Sequence, residues 1–366
     1  MALVLGASLA AAPTADSAAS CSSWVTSTPN RGTGDNDLYA VSTLSSCKAW
    51  AVGYSTGTVR RTLIERWNGT GWKIQPSKNV GSFDNRLNDV VAISSTNVWA
   101  VGRYSDGSVD RTLIEHWNGT KWTVKPSPNK GTLGSRLDSI AVVSPSNMWA
   151  VGHSSGTTGE RTLILHWNGT KWRVVPSPSV GPHQNDLIAV AATSATNAWA
   201  VGFFYNGTSN RTLVLHWNGT KWNRQKSPNS GTGFNALLGV TALSAKNAWA
   251  VGAGEGNLEG LILHWNGTRW TRKMNPDPGS TENALFGVEA TSAKNAWAVG
   301  YSNSGSGRQS LVEHWNGTLW KVQPSPDPGQ GGNELYGVDG SSGSDAWAVG
   351  KFVDTTMDRT FAVHCC

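Results

Sequence analysis

Six of the eight histidines stand at one repeated position: His116, His166, His216, His264, His314 and His364, with Arg66 in the corresponding slot nearest the N-terminus. Imidazoles that titrate near neutrality can shuttle protons or bind metal. Arginine recurs too, at Arg61, Arg111, Arg161, Arg211 and Arg359, and its planar fork suits carboxylate recognition. A residue repeated at even spacing most simply repeats one structural task, so each histidine is expected to bond a neighbouring loop carbonyl and each arginine to pair within the scaffold. Residues that break the repeat are the better site candidates. His153, His183, Phe203, Phe204, Tyr205 and Phe234 fall on connections expected to share one rim, where aromatic faces beside polar groups could grip a sugar. Hydrolytic chemistry would need paired carboxylates. The non-repeated acids Asp106, Glu255, Glu259, Glu282 and Asp354 are dispersed, and no compact triad or metal-ligand motif occurs, so no catalytic residue, metal or cofactor is expected.

What positions these residues is a repeat of about fifty residues marked by tryptophan. A Trp-Ala-Val-Gly tetrad begins at Trp50, Trp99, Trp149, Trp199, Trp249, Trp297 and Trp347. A Trp-Asn-Gly-Thr-x-Trp run follows the first six, as at Trp117 and Trp122. With Trp24 these account for all 20 tryptophans. Between Leu87 and Pro126 four short β-rich runs are separated by turn residues, and Asn118-Gly119 reads as a type I′ hairpin turn. Each repeat is therefore a four-stranded antiparallel meander. Seven of them predict an all-β chain folded as a seven-bladed β-propeller.

The units resemble the Asp-box (BNR) and photosystem-assembly-factor-like repeats of secreted bacterial propellers, through Gly119-Thr120-Lys121-Trp122 and its equivalents. This chain has Asn where the Asp-box has Asp. The likeness spans nearly all of 21–366. It implies a secreted protein. Secreted bacterial propeller lectins offer a further analogy for binding, and in several of them sugars lie between blades against repeated tryptophans.

The seventh unit ends at Cys365-Cys366, before its fourth strand. Cys21-Ser22-Ser23-Trp24 followed by Thr28-Pro29-Asn30 matches Lys121-Trp122 followed by Ser127-Pro128-Asn129, so the N-terminal strand is expected to complete blade seven, three strands from one end and one from the other. That alignment places Cys21 beside Cys366 and predicts a Cys21–Cys366 disulfide, with Cys47–Cys365 as the second bridge and a swap through Cys21–Cys365 left open.

The apolar run from Ala2 to Ala12, followed by small residues to Ser20, reads as a secretory signal, leaving 21–366 as one propeller domain. The run is too short to span a bilayer. A net charge of +6 without basic clusters argues against a nucleic-acid partner and suits an anionic surface. The expected function is a monomeric, extracellular, non-catalytic protein that recognises cell-surface or cell-wall glycans in a lectin-like, multivalent way. A protein-interaction platform in a secreted assembly and a glycan-active hydrolase or lyase are the alternatives.

Overall fold

The computed structural model describes residues 24–26, 28–257, 259–343 and 345–365. Among them the chain forms seven four-stranded antiparallel sheets. In the first blade the strands run Asn36–Ser45, Lys48–Thr56, Arg60–Trp67 and Trp72–Ile74, in sequence order from the channel outwards. Blade seven takes three strands from the C-terminal end, and its outermost strand is Trp24–Thr26, paired antiparallel with Asp358–Cys365. The expected three-plus-one closure is therefore present. The expected signal segment, 1–20, lies outside the described residues.

The tetrad builds the ring. Its Trp, Ala and Val are buried in clusters that join adjacent blades; Trp199 and Val201 of blade four pack with Leu237, Leu261, Leu263 and Trp270 of blade five. The Trp199 ring lies 4.9 Å from Trp265 and 5.2 Å from Trp270, edge-on to the latter, and 4.1 Å from His216 of its own blade. The same wedge recurs from Trp50, Trp149, Trp249 and Trp347 into the next blade. The tetrad glycine is dictated by close approach. A Cβ at Gly202 would overlap the Asp186 carbonyl oxygen, and Gly53, Gly102, Gly152, Gly252, Gly300 and Gly350 meet the same obstacle.

The Asn-Gly turns differ from the expected two-residue type I′ form. Trp117 pairs with Trp122, which leaves a four-residue loop, and only the glycine has positive φ. Asn118 Oδ1 accepts from the Thr120 and Lys121 amides at 3.0 Å and the Thr120 hydroxyl at 2.9 Å. Asn-Gly-Thr is thus a side-chain-capped turn, and the side chain replaces the backbone geometry that was expected.

The Cys47–Cys365 bridge is not formed. Cys47 is a free, exposed thiol in the inner turn of blade one, whereas Cys365 is fully buried among residues of blades six and seven, on the face of blade seven turned away from blade one. Cys365 is disulfide-bonded, to a cysteine other than Cys47. Cys21 and Cys366, and the bridge expected between them, lie outside the described residues.

Three third strands carry a buried glutamate, Glu65, Glu115 and Glu313, where Leu165, Leu215 and Leu263 stand in blades three to five. Burial pushes Glu115 and Glu313 up to about 8 and Glu65 well above the usual carboxylate range. Glu115 accepts the Lys78 amide at 3.1 Å, and at the equivalent position the connections into blades three to five have Pro128, Pro178 and Pro228, which carry no N–H. The folded chain keeps protons that the unfolded chain releases above pH ~4.5. The stabilisation is complete below that pH and is lost as pH rises through about 8.

Urea unfolding from pH 5 to 8.5 should show stability falling by up to about 1 kcal/mol per pH unit for each such glutamate. The double variant K78P/E115L, which copies blades three to five, should flatten the slope and raise stability at pH 8. Non-reducing peptide mapping after alkylation should recover Cys47 alkylated and Cys365 cross-linked.

Candidate functional site at the mouth of the central channel

The repeated histidines are structural, and their partner is a side chain rather than the expected loop carbonyl. Each meets the residue two before the tetrad Trp: His116 to Asn97 at 2.9 Å, His216 to Asn197 at 2.8 Å, His364 to Asp345 at 2.7 Å. An Asn oxygen accepts, so the ring nitrogen facing it carries the proton. Burial lowers the imidazoles of His116, His166, His216, His264 and His314, the first and fourth to about 4, which keeps these five neutral beside the Trp faces. In blade one Arg66 replaces histidine and stacks 5.1 Å over Trp50.

The repeated arginines are also scaffold. Arg61, Arg161 and Arg211 donate to carbonyls of the following connection, such as Ser82 at 3.1 Å and Thr232 at 2.9 Å. Arg111 and Arg359 are held by Asp106 and Asp354 at 2.7 Å. Glu259 and Glu282 pair with Arg272 and Arg308. Asp106, Glu259, Glu282 and Asp354 therefore neutralise local arginines, whereas Glu255 has no salt bridge among the described residues.

A cavity of about 650 Å³ runs along the axis, lined by the first strand of every blade. Each of these strands slips register one residue after its Leu, as between Leu38 and Ala40. The bulge places Tyr39, Asn88, Asp138, Ile188, Leu238, Phe286 and Tyr336 on the channel wall, outside the ladder. The innermost strand is also a sheet edge, whose free N–H groups must be satisfied. Asp89 accepts the Ile140 amide at 2.8 Å and Asp339 the Thr43 amide at 2.5 Å; Ser42 and Ser139 do the same for Ala92 and Val190. Desolvation raises Asp89 to about 6, Asp339 to about 7 and Glu289 to about 8, and Glu289 is raised further by Asp339.

One mouth of the channel has two unlike halves. Across blades six, seven and one, Phe286, Tyr336 and Tyr39 form a chain of rings 5.1 and 5.5 Å apart, extended by Tyr301 and Tyr54. Across blades one to three, Arg60, Arg86, Arg103 and Arg136 converge. Burial, then the charges of Arg86, Arg136 and Arg60, lower Arg103 to about 10. Arg103 pairs with Asp110, and Arg136 donates to Asp138 at 2.9 Å. Arg86 has no salt bridge among the described residues; its guanidinium lies 5.5 Å over Tyr39 and its Nε is buried without an acceptor.

Of the residues singled out by sequence, His153 lies at this mouth between Asp186 and Glu160. Phe203, at the equivalent register position in blade four, is half-buried 6.2 Å from Phe234. Phe204 is excluded as a ligand contact. Strand alternation turns it into the core of blades three and four, where Arg224 covers it at 4.6 Å. The Tyr205 hydroxyl is spent on the Gly207 carbonyl at 2.9 Å, and His183 is exposed on its connection, using its own carbonyl to accept the Glu160 amide. Sequence reading missed Arg86, Arg103, Arg136 and the Tyr39–Tyr336–Phe286 chain. The available signal was column variability: the residues before and after the first-strand Leu and after the tetrad Gly differ from blade to blade.

Neither a family model nor a curated protein matches the chain. Solved structures do match. YCF48 bound to a D1 peptide shares 13% identity over 94% of this chain and 97% of that one, with a TM-score of 0.60. YCF48 from Cyanidioschyzon merolae shares 13% over 93% and 98%, at 0.58, and a streptogramin B lyase 13% over 93% and 97%, at 0.61. The likeness is one of fold: a seven-bladed β-propeller.

Removing the tetrad wedge tests the division between scaffold and site. Trp199→Ala should cost about 3–5 kcal/mol in urea unfolding, whereas Arg86→Ala, at the mouth, should change stability by less than about 1 kcal/mol.

Proposed function

We propose that the chain is a non-catalytic binding protein that holds an acidic polypeptide segment across the mouth of its channel, outside the cell. The observation that carries this reading is Arg86, a guanidinium with a buried, unpartnered donor between three further arginines and an aromatic wall. An anionic side chain or a terminal carboxylate supplies the missing acceptor, and the rings supply apolar area beside it. A protein partner needs one contiguous patch of unlike residues, and the mouth is such a patch. The repeated inter-blade positions that a multivalent lectin would use are filled by the tryptophan wedges themselves. That a fold neighbour, YCF48, was solved with a bound D1 peptide supports a polypeptide ligand. Release from the cell is supported by the apolar run Ala2 to Ala12 and the small residues after it.

A glycan ligand is the second reading. Trp67, Trp167, Trp217, Trp265 and Trp315 stay half-buried towards the outside. Their indole N–H groups donate to turn carbonyls, such as Ser46 at 3.0 Å, so only ring faces and edges are left for a sugar. Catalysis as a hydrolase or lyase draws less support, because the channel carboxyls Asp89 and Asp339 are committed to strand-edge amides.

Fluorescence anisotropy with labelled Asp/Glu-rich and neutral ten-residue peptides tests the proposal. Binding of the acidic set should weaken as salt rises and fall at least about tenfold in Arg86→Ala. Glycan-array binding that is competed by free monosaccharide and unchanged in Arg86→Ala, with no peptide bound, would overturn it.

A further inference from the structure

Around the mouth, three register positions meet at every blade boundary: the residue after the tetrad Gly, the residue before the repeated third-strand Arg, and the first-strand residue before Leu in the next blade. At the boundary of blades seven and one these are Lys351, Asp358 and Asp37, and the Lys351 ammonium meets Asp358 at 2.9 Å. At the boundary of blades six and seven they are Tyr301, Arg308 and Glu334, closed by an Arg308–Glu334 pair at 2.8 Å. At the boundary of blades two and three Arg103 pairs with Asp110. Each of these trios contains its own fixed cation.

The boundary of blades three and four lacks one, as do those of blades four and five (Phe203, Asn210, Ala236) and five and six (Ala253, Glu259, Ala284), but it alone of these three gathers two carboxylates. Its trio is His153, Glu160 and Asp186, two carboxylates and an imidazole with no Lys or Arg among them. One ligand atom from each lies within 4.8 Å of the others. The His153 and Asp186 side chains are only 10% and 4% exposed. His153 Nδ1 and a carboxylate oxygen of Asp186 are buried and in direct contact across the blade boundary. Arg136 is a fixed cation beside the cluster, and its Nε is committed to Asp138 at 2.9 Å. One guanidinium against Asp138, Glu160 and Asp186 leaves the cluster short of positive charge. A buried imidazole and two carboxylates gathered from two blades, with no Lys or Arg among them, form a ligand set that a shared metal ion can hold.

We propose that His153, Glu160 and Asp186 bind a divalent transition metal ion, with zinc the best match, in the place that the Lys351 ammonium takes at the boundary of blades seven and one. The carboxylate oxygens are hard ligands that many divalent ions accept, but the imidazole nitrogen is a borderline ligand that suits Zn²⁺ over Ca²⁺ or Mg²⁺. His153 comes from the second strand of blade three, Glu160 from its third and Asp186 from the first strand of blade four, so the ion would cross-link two blades. None of its three ligands is among the four arginines of the proposed peptide site, although Arg136 borders both.

Zinc titration calorimetry on the full chain tests it, in a Cys47→Ser background because the free exposed thiol is itself a zinc ligand. One zinc per chain should bind, and the melting temperature should rise with zinc concentration. His153→Gln and Asp186→Asn should each weaken binding at least about tenfold, while Lys351→Gln leaves it unchanged. Cobalt(II) gives a readout on the unsubstituted ligand set: d–d bands without thiolate charge transfer are expected. No saturable zinc binding, binding unchanged in His153→Gln, or thiolate charge transfer in the cobalt spectrum would each overturn the proposal.

Discussion

The ring stands on one interaction, the insertion of a tetrad tryptophan between the two tryptophans of the next blade. Trp50, Trp99, Trp149, Trp199, Trp249 and Trp347 all make it, while Trp297 joins a cluster with Cys365 of blade seven. In its clearest instance Trp199 is fully buried, edge-on to Trp270, tilted against Trp265 and covered on its own blade by His216. Aromatic pairs at such separations add to the free energy of area burial. The rest of the repeat serves this contact. The tetrad Gly lets the first strand close on the second, Asn holds the histidine that stacks on the indole, and the Asn-Gly-Thr turn brings the two receiving tryptophans side by side.

A wedge repeated this often frees other columns to vary. The ring is maintained by residues on the blade faces, so the residue after the first-strand Leu contributes little to it and can be Tyr, Asn, Asp, Ile, Leu or Phe. The bulge at that point turns the variable column onto the channel wall. Arginines gather on one side and aromatic rings on the other, making an asymmetric mouth on a nearly symmetric frame. Blade one shows the same tolerance in the scaffold, where Arg66 takes over the stacking role of histidine.

Blade number, strand order and closure were legible because tryptophan spacing, turn residues and the truncated seventh unit are local signals. Structural roles for histidine and arginine were legible from repetition alone, though not that the histidine partner is Asn97 and its equivalents. The mouth was not legible, because it depends on which strand face turns inward and on a one-residue slip that no single strand announces. That slip brings Tyr39 under Arg86, residues 47 positions apart whose side chains meet only across a blade boundary. Phe204 failed for a related reason: alternation sends it to the side opposite Phe203. Cys47 was misplaced because the blade-seven face that Cys365 occupies, known only from packing, points towards blade six.

The division between a tryptophan scaffold and a variable mouth is tested most directly by hydroxyl-radical footprinting of the protein with and without whatever ligand it captures. Protection confined to 37–42, 86–91 and the Arg103 and Tyr301 segments is the expected result, with the Asn-Gly-Thr turns and Trp67-type edges as reactive as in the free protein. Protection repeated at the six Trp-Asn-Gly-Thr turns, with Tyr39 and Tyr336 unaffected, would contradict it and move recognition to the outside of the ring.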